Sequence, residues 1–365
     1  MNFDFSEDQK LLQKTVNEHL RDHAPLTVAR QVLESEARYS ESLWQGAAEM
    51  GWLGAAVPEA LGGSGFGYLE LALIAYEIGA ALTPIPFSSS VYLATEAVML
   101  GGTAGQKQRL LPALASGQLI GTFALMERPG RFATDGAATE FVNGRLTGTK
   151  VPVCDGDIAN VAIVVARREG DVAVVVADLN QPGVTRRALD SVDPSRGLAQ
   201  VHFEDAKAEL LGDGLGWGFV ENLLDRAAVL MAFEQLGGAE RALEMTRNFC
   251  MGRYAFGRPV ASFQAIKHRL ADIYVEIELA RSNAYYGAWA LSMNSDKLPA
   301  AAAGARASAS DAFELAATEM IQLHGGVGFT WEFDCHLFYR RAKHLALALG
   351  TSNEWRDRLV KAIAA

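Results

Sequence analysis

The chain has 365 residues, half of them hydrophobic and 21% charged, which is enough apolar material to bury a large core and too much for a disordered polymer. Its formal net charge of -10 excludes a broad electrostatic grip on DNA, RNA or an anionic membrane. Three widely spaced cysteines, Cys154, Cys250 and Cys335, fit a reducing cytoplasm better than a disulfide framework.

The acidic start, Met1-Asn-Phe-Asp-Phe-Ser-Glu-Asp8, has no signal-peptide core, and no apolar run approaches the roughly eighteen residues of a membrane span. A soluble cytoplasmic protein is expected. Ser6 precedes Glu7-Asp8 and then Leu11, Leu12, Val16 and Leu20, the pattern of a capped amphipathic helix. Gly62-Gly63-Ser64-Gly65 punctuates the chain before a second helical run over 68–81, so 1–116 reads as a helical domain.

From about 119 to 208 short β-branched runs take over. Segments 161–166 and 172–177 flank Arg167-Arg-Glu-Gly-Asp171 as a hairpin, and Asn143-Gly144 signals a two-residue turn, so 117–208 reads as an antiparallel β-domain. After Gly212-Asp-Gly-Leu-Gly-Trp-Gly218, a plain loop, four or five helices follow. Three are long, at about 219–252, 261–293 and 298–324, which makes 209–365 a four-helix-bundle domain. The fold class is α+β, mostly α, with no repeat and no low-complexity linker between the parts. Arg167-Arg168 and Arg340-Arg341 read as solvated edges or local anion contacts.

Common catalytic motifs are missing. No Gly-x-Gly-x-x-Gly follows a strand, no Gly-Lys-Ser/Thr is present, and no serine occupies a Gly-x-Ser-x-Gly elbow. His336 and His344 lie eight apart without an acidic companion at ligand spacing, so no metal is expected.

Two stretches remain: Arg253-Tyr-Ala-Phe-Gly-Arg-Pro-Val-Ala-Ser-Phe-Gln264 and Gln322-Leu-His-Gly-Gly-Val-Gly-Phe-Thr-Trp-Glu332. In them Arg253 offers a cationic fork for a pyrophosphate, Phe256 an aromatic face, and Gln264 an amide for an adenine or ribose edge. Gly325-Gly326 removes side chains where a backbone must approach a ligand. Taken singly, each also serves as a helix cap, a core aromatic or a turn. At this spacing, after a sheet domain of this size, they resemble the flavin-contacting signatures of the acyl-CoA dehydrogenase family over the whole chain.

The resemblance implies FAD as cofactor, an acyl-CoA as substrate and an electron-transfer flavoprotein as acceptor. It also implies that Arg253, Phe256, Gln264, Gln322, Gly325 and Gly326, with Thr351, hold the adenosine end of a neighbouring subunit's FAD. Two further expectations follow from departures from the family pattern. The flavin cradle is altered: Met126-Glu-Arg-Pro-Gly-Arg-Phe132 replaces a Thr-Glu-Pro with its Gly-Ser-Asp, and Pro152-Val153-Cys154-Asp155 replaces Trp-Ile-Thr-Asn. The base is missing as well, because Leu349 precedes Gly350-Thr351 where the family carries glutamate, and a leucine takes no proton.

The alternative position for a base, on the first helix of the C-terminal part, falls at Ala227-Ala228, with Asp225 two residues earlier. Glu234, about two turns further on nearly the same face, is the fallback base or else a buried glutamate paired with an arginine. The pattern resembles the base-lacking subunit of α2β2 acyl-CoA dehydrogenases of bacterial steroid degradation, which implies a second acyl-CoA dehydrogenase subunit as partner. A self-sufficient homo-oligomer and a non-catalytic binding or regulatory protein remain as alternatives.

Overall fold

A computed structural model of the chain describes residues 5–128 and 137–364. The chain divides into two compact units that interleave in sequence. One is built from Met1–Gln31, Tyr68–Thr83 and Ala228–Ala365, the other from Val32–Gly67 and Pro84–Ala227.

In the first unit, α1 (Glu7–His23) starts on a capping box: the Ser6 hydroxyl accepts from the Gln9 amide at 3.2 Å, and the Gln9 side chain accepts from the Ser6 N–H at 2.9 Å. It packs on α4 (Tyr68–Ala80), where the Gln13 and Asn17 amides donate to the buried Glu77 carboxylate at 2.8 and 2.7 Å. The remainder is a helical bundle: the C-terminal part of α7 (Trp217–Gly252), then α8 (Gln264–Ser292), α9 (Leu298–His324), α10 (Cys335–Ala348) and α11 (Ser352–Ala364). The long helix expected from 261 starts three residues later, because a 3₁₀ turn over Val260–Ser262 precedes it.

Close backbone approach organises this bundle. A Cβ on Gly237 of α7 would lie 1.9 Å from the Tyr76 carbonyl of α4, and one on Gly79 of α4 would lie 1.8 Å from the Glu234 carbonyl, so only glycine fits on either side. α9, rich in alanine, buries Ala301, Ala305, Ala309, Ala312 and Ala316 among its neighbours.

Beyond α2 (Leu26–Glu34) in sequence, the second unit combines α3 (Glu41–Glu49), α5 (Glu96–Gly101) and α6 (Ala104–Ala115) with an eight-stranded sheet. β1 (Gly121–Ala124), β2 (Glu140–Val142), β3 (Arg145–Cys154), β4 (Val161–Arg168), β5 (Asp171–Asp178), β6 (Val184–Ala188), β7 (Leu198–Lys207) and β8 (Glu209–Leu210) run in the order β6-β7-β3-β2-β4-β5-β8, with β1 beside β4. The ladder is antiparallel except that β1 and β2 lie parallel to β4. The two predicted turns form where expected. Asn143 and Gly144 (φ 50° and 76°) join β2 to β3, and Glu169 and Gly170 (φ 54° and 97°) join β4 to β5; positive φ at both central residues is what a right-twisted hairpin requires.

The sequence offered no sign of the buried π-helical run Ser88–Thr95. Its serines tie it to the sheet: Arg196 donates to the Ser88 hydroxyl, Ser89 donates to Asp155 at 2.6 Å, and Ser90 accepts from the Gly121 N–H at 3.1 Å.

Arg340-Arg341 corrects one expectation. Arg341 is no solvated edge: it is buried and donates to the Leu82 and Thr83 carbonyls at 3.2 and 3.5 Å, closing the end of α4 onto α10. Among the described residues no helix is long and apolar enough to cross a membrane, and no group of three or more His, Cys, Asp or Glu is arranged to hold a metal ion.

Candidate functional site

The first unit carries a cavity of about 480 Å³, within the range of small-molecule sites. It forms where α7 ends, α8 begins and α9 stops. Arg253, Gln322, Gly325 and Gly326 all line it, so four of the expected site residues meet although fifty-seven residues separate the two stretches.

Each arrives by local geometry. Arg253 is the first residue beyond α7, its N–H bonded to the Phe249 carbonyl at 2.9 Å. The chain then makes a two-stranded ribbon of β9 (Tyr254–Ala255) and β10 (Arg258–Pro259), turning through Phe256 and Gly257 at φ 52° and 78°. At the tip Phe256 is 96% exposed, with Phe263 edge-on to it at 6.3 Å and the Arg258 guanidinium over the Phe263 ring at 4.0 Å. Gln264 opens α8 as an exposed residue beside Ala265 and Ile266, which do line the cavity.

On the opposite wall α9 stops at Gly325, whose φ of 63° with ψ of -139° suits only glycine. A Cβ on Gly325 or Gly326 would touch nothing within 4 Å, so the backbone lies bare toward the cavity and side chains there would occupy open space. Phe249, Ile266, Arg269 and His324, to which the sequence assigned no site role, also line the cavity, together with Val260, Ala265 and Leu323. Phe249 precedes Arg253 by four and Arg269 follows Ala265 by four, the spacing of one helix face, so that signal was present. Arg269 is held by Glu319 at 2.9 Å.

Fit to a dinucleotide can be tested on these residues. A guanidinium, an amide-bearing glutamine and an uncovered glycine backbone around apolar walls match the pyrophosphate and adenosine half of FAD. The segment expected to cradle the flavin ring fits less well. Lys150 is fully buried and spends its ammonium on the Leu125 carbonyl at 3.1 Å and on Glu127 at 2.8 Å. Burial pushes Lys150 down to about 8, partly offset by that carboxylate. Burial by itself would raise Glu127, but the bond and charge of Lys150 and the amides of Thr139 and Ala138 outweigh it and hold the carboxyl at about 2. Burial pushes the Cys154 thiol up to about 12, so it stays protonated and is a poor flavin donor. Pro129 to Phe132 of the altered cradle lie outside the described residues.

The remaining candidates stand apart from the cavity. Leu349 caps α10, is 3% exposed, and its carbonyl accepts from the Trp355 indole at 2.8 Å. Thr351 forms a capping box for α11: its N–H and hydroxyl donate to Glu354 at 2.7 and 2.9 Å, and its hydroxyl accepts from the Glu354 N–H at 3.3 Å. Glu234 is 0% exposed in the bundle interior beside Arg306. That guanidinium, also fully buried, donates to Gln235, to Ser310 at 2.6 Å and to the Leu345 carbonyl. Burial pulls it down to about 10 against the opposing pull of Glu234. Asp225 is buried in the second unit next to Arg226, which pairs with Glu96 at 2.5 Å.

The succession of helical, sheet and helical parts is that of the acyl-CoA dehydrogenase fold, and comparison with known proteins places it. The acyl-CoA dehydrogenase N-terminal domain model matches residues 6–118 and the C-terminal domain model matches 214–364. Acyl-CoA dehydrogenase IpdE2 of Mycobacterium tuberculosis is 34% identical over 358 residues, 97% of this chain and 96% of its own. The chain belongs to the acyl-CoA dehydrogenase family. Among solved structures it superposes on a chain of the ChsE4-ChsE5 complex from Mycobacterium tuberculosis with a TM-score of 0.91 at 28% identity, covering 100% of this chain and 99% of that one. It also superposes on a Tcur3481-Tcur3483 steroid ACAD variant with a TM-score of 0.90 at 30% identity, covering 98% of both.

Proposed function

We propose that this chain is one subunit of a heteromeric, FAD-dependent dehydrogenase of a bulky, steroid-derived acyl-CoA, and that it completes the flavin site of a second, unlike acyl-CoA dehydrogenase subunit. One observation carries the reading. The chain keeps a formed cavity with Arg253, Gln322 and Gly325-Gly326 on its walls, yet an apolar, enclosed Leu349 stands where the family holds its base. The likeness to the ChsE4-ChsE5 complex and to a steroid ACAD supports both the heteromer and the substrate class.

In this assembly Arg253 holds the pyrophosphate, the Gln322 and Gln264 amides meet the adenosine edges, and the bare backbone at Gly325-Gly326 lets the dinucleotide come close. Phe256 projects its ring toward the partner. A flavin held there would supply the acceptor for the hydride leaving the β-carbon of the thioester. The α-proton goes to a carboxylate that the partner supplies, and the electrons pass to an electron-transfer flavoprotein.

The self-sufficient alternative needs Glu234 to reach a substrate. A carboxylate enclosed in the bundle beside Arg306 is placed to balance a buried charge instead.

Purified alone, the chain should be colourless and inactive. Co-expressed with the product of an adjacent dehydrogenase-like gene, it should give a yellow complex with a single flavin for each pair of unlike subunits. Arg253→Ala should strip flavin from that complex although Arg253 belongs to the subunit without a base. A yellow, active chain without a second polypeptide, or a complex whose flavin ignores Arg253→Ala, overturns the reading.

A further inference from the structure

His324 takes no part in the function above, yet it stands where the Gly325-Gly326 turn leaves α9. His324 Nδ1 lies 2.7 Å from the Met320 carbonyl, and because a carbonyl only accepts, the proton sits on Nδ1 and the tautomer is fixed.

The ring is stacked on Phe249 of α7 at 4.2 Å and 26°, with Phe333 at 6.3 Å and 65°. Burial lowers its tendency to charge, so at neutral pH the imidazole is an uncharged slab stacked on Phe249 with Phe333 at its edge. The turn then folds back on it: a Cβ on Gly328 would meet the Ile321 carbonyl at 2.3 Å and the His324 Cβ at 3.0 Å. The turn thus packs against the root of the His324 side chain, directly beside the stacked ring.

We propose that His324 is a positioning residue for nucleotide binding: its imidazole, fixed by Phe249 and the Met320 carbonyl, sets where the Gly325-Gly326 backbone and Gln322 face the cavity. The proposal rests on the nucleotide reading of that cavity. It assigns His324 no contact with the reacting atoms.

Three variants separate donor from ring. His324→Asn keeps a donor at the Nδ1 position without the ring, His324→Phe keeps the ring without the donor, and His324→Ala has neither. In the flavin-containing complex, FAD affinity should fall about fivefold in His324→Phe, because a turn no longer fixed by the Met320 bond would spend only about a fifth of its time in the binding position. His324→Asn should retain more affinity than His324→Ala. KM for the acyl-CoA and the melting temperature of the flavin-free complex should stay near wild type in Asn and Phe.

Arg253→Ala run in parallel tells the two readings apart. If Arg253→Ala releases flavin and the His324 variants bind it like wild type, His324 is not a positioning residue. If flavin loss only follows a fall in melting temperature across the three variants, His324 holds the fold and the proposal fails. If Arg253→Ala also keeps its flavin, the nucleotide reading falls and this proposal with it.

Discussion

At the scale of single residues, the Lys150–Glu127 pair shows how much one buried charge can decide. Lys150 lies fully inside, while Glu127 keeps an edge in water and accepts the Ala138 and Thr139 amides at 2.7 and 2.8 Å. The desolvation cost therefore falls on the amine and the gain on the carboxylate. Lys150→Met should cost about 1–3 kcal/mol in urea unfolding, less than a wholly buried pair because Glu127 retains solvent and two donors. The sign with pH is fixed too. Since the folded carboxyl titrates near 2 and the ordinary one near 4.5, this contribution is complete above that upper value and disappears as pH falls toward 2. A melting temperature that is flat over that window, or the same acid profile in Glu127→Gln, would show the pair to be inert. Legibility at this scale was uneven. The meeting of Arg253, Gln322, Gly325 and Gly326 in one cavity was expected only through the likeness of two stretches to a family pattern, and Glu234 takes up the buried, arginine-paired alternative to a base, whereas the engagement of Thr351 was not foreseen. The arginine beside Glu234, Arg306, is seventy-two residues away and so could not be named from spacing, whereas Thr351-x-x-Glu354 is a local capping signal that was passed over.

At the scale of elements, the paired turns at 143–144 and 169–170 were legible because a two-residue hairpin demands positive φ, and Asn and Gly are suited to provide it. The π-helical run was not, because a shift in hydrogen-bond register leaves no mark on composition. Nor was the crossing of α4 and α7, which is a meeting of backbones. Gly237→Ala should force those helices apart and cost at least about 1–3 kcal/mol, as overpacking does. Gly105→Ala is the control: it lies exposed in α6 with nothing within 4 Å, so the same methyl should be neutral or stabilise by about 1 kcal/mol. Equal denaturation midpoints for Gly237→Ala and wild type would mean that the close approach relaxes freely.

At the scale of the molecule, the succession of helical, sheet and helical parts was legible from the change in hydrophobic period, but the interleaving of two compact units was not, because it depends on contacts between distant segments. The same scale decides what restoring a base can do. A general base contributes about 10²–10⁴ in rate, but only where a flavin and a thioester are already held. Leu349→Glu puts a carboxylate back at the family's position, yet the residues around Lys150 and Cys154 still do not match a flavin-ring cradle. The variant alone should therefore remain colourless and show no acyl-CoA oxidation. It should also lose about 1–3 kcal/mol of stability, because a site only 3% exposed must now desolvate a polar group. In the heteromer its turnover should equal wild type, since the proton is taken elsewhere. A gain of two to four powers of ten on adding this one carboxylate would instead mean that the chain keeps a working site of its own, lacking nothing but its base.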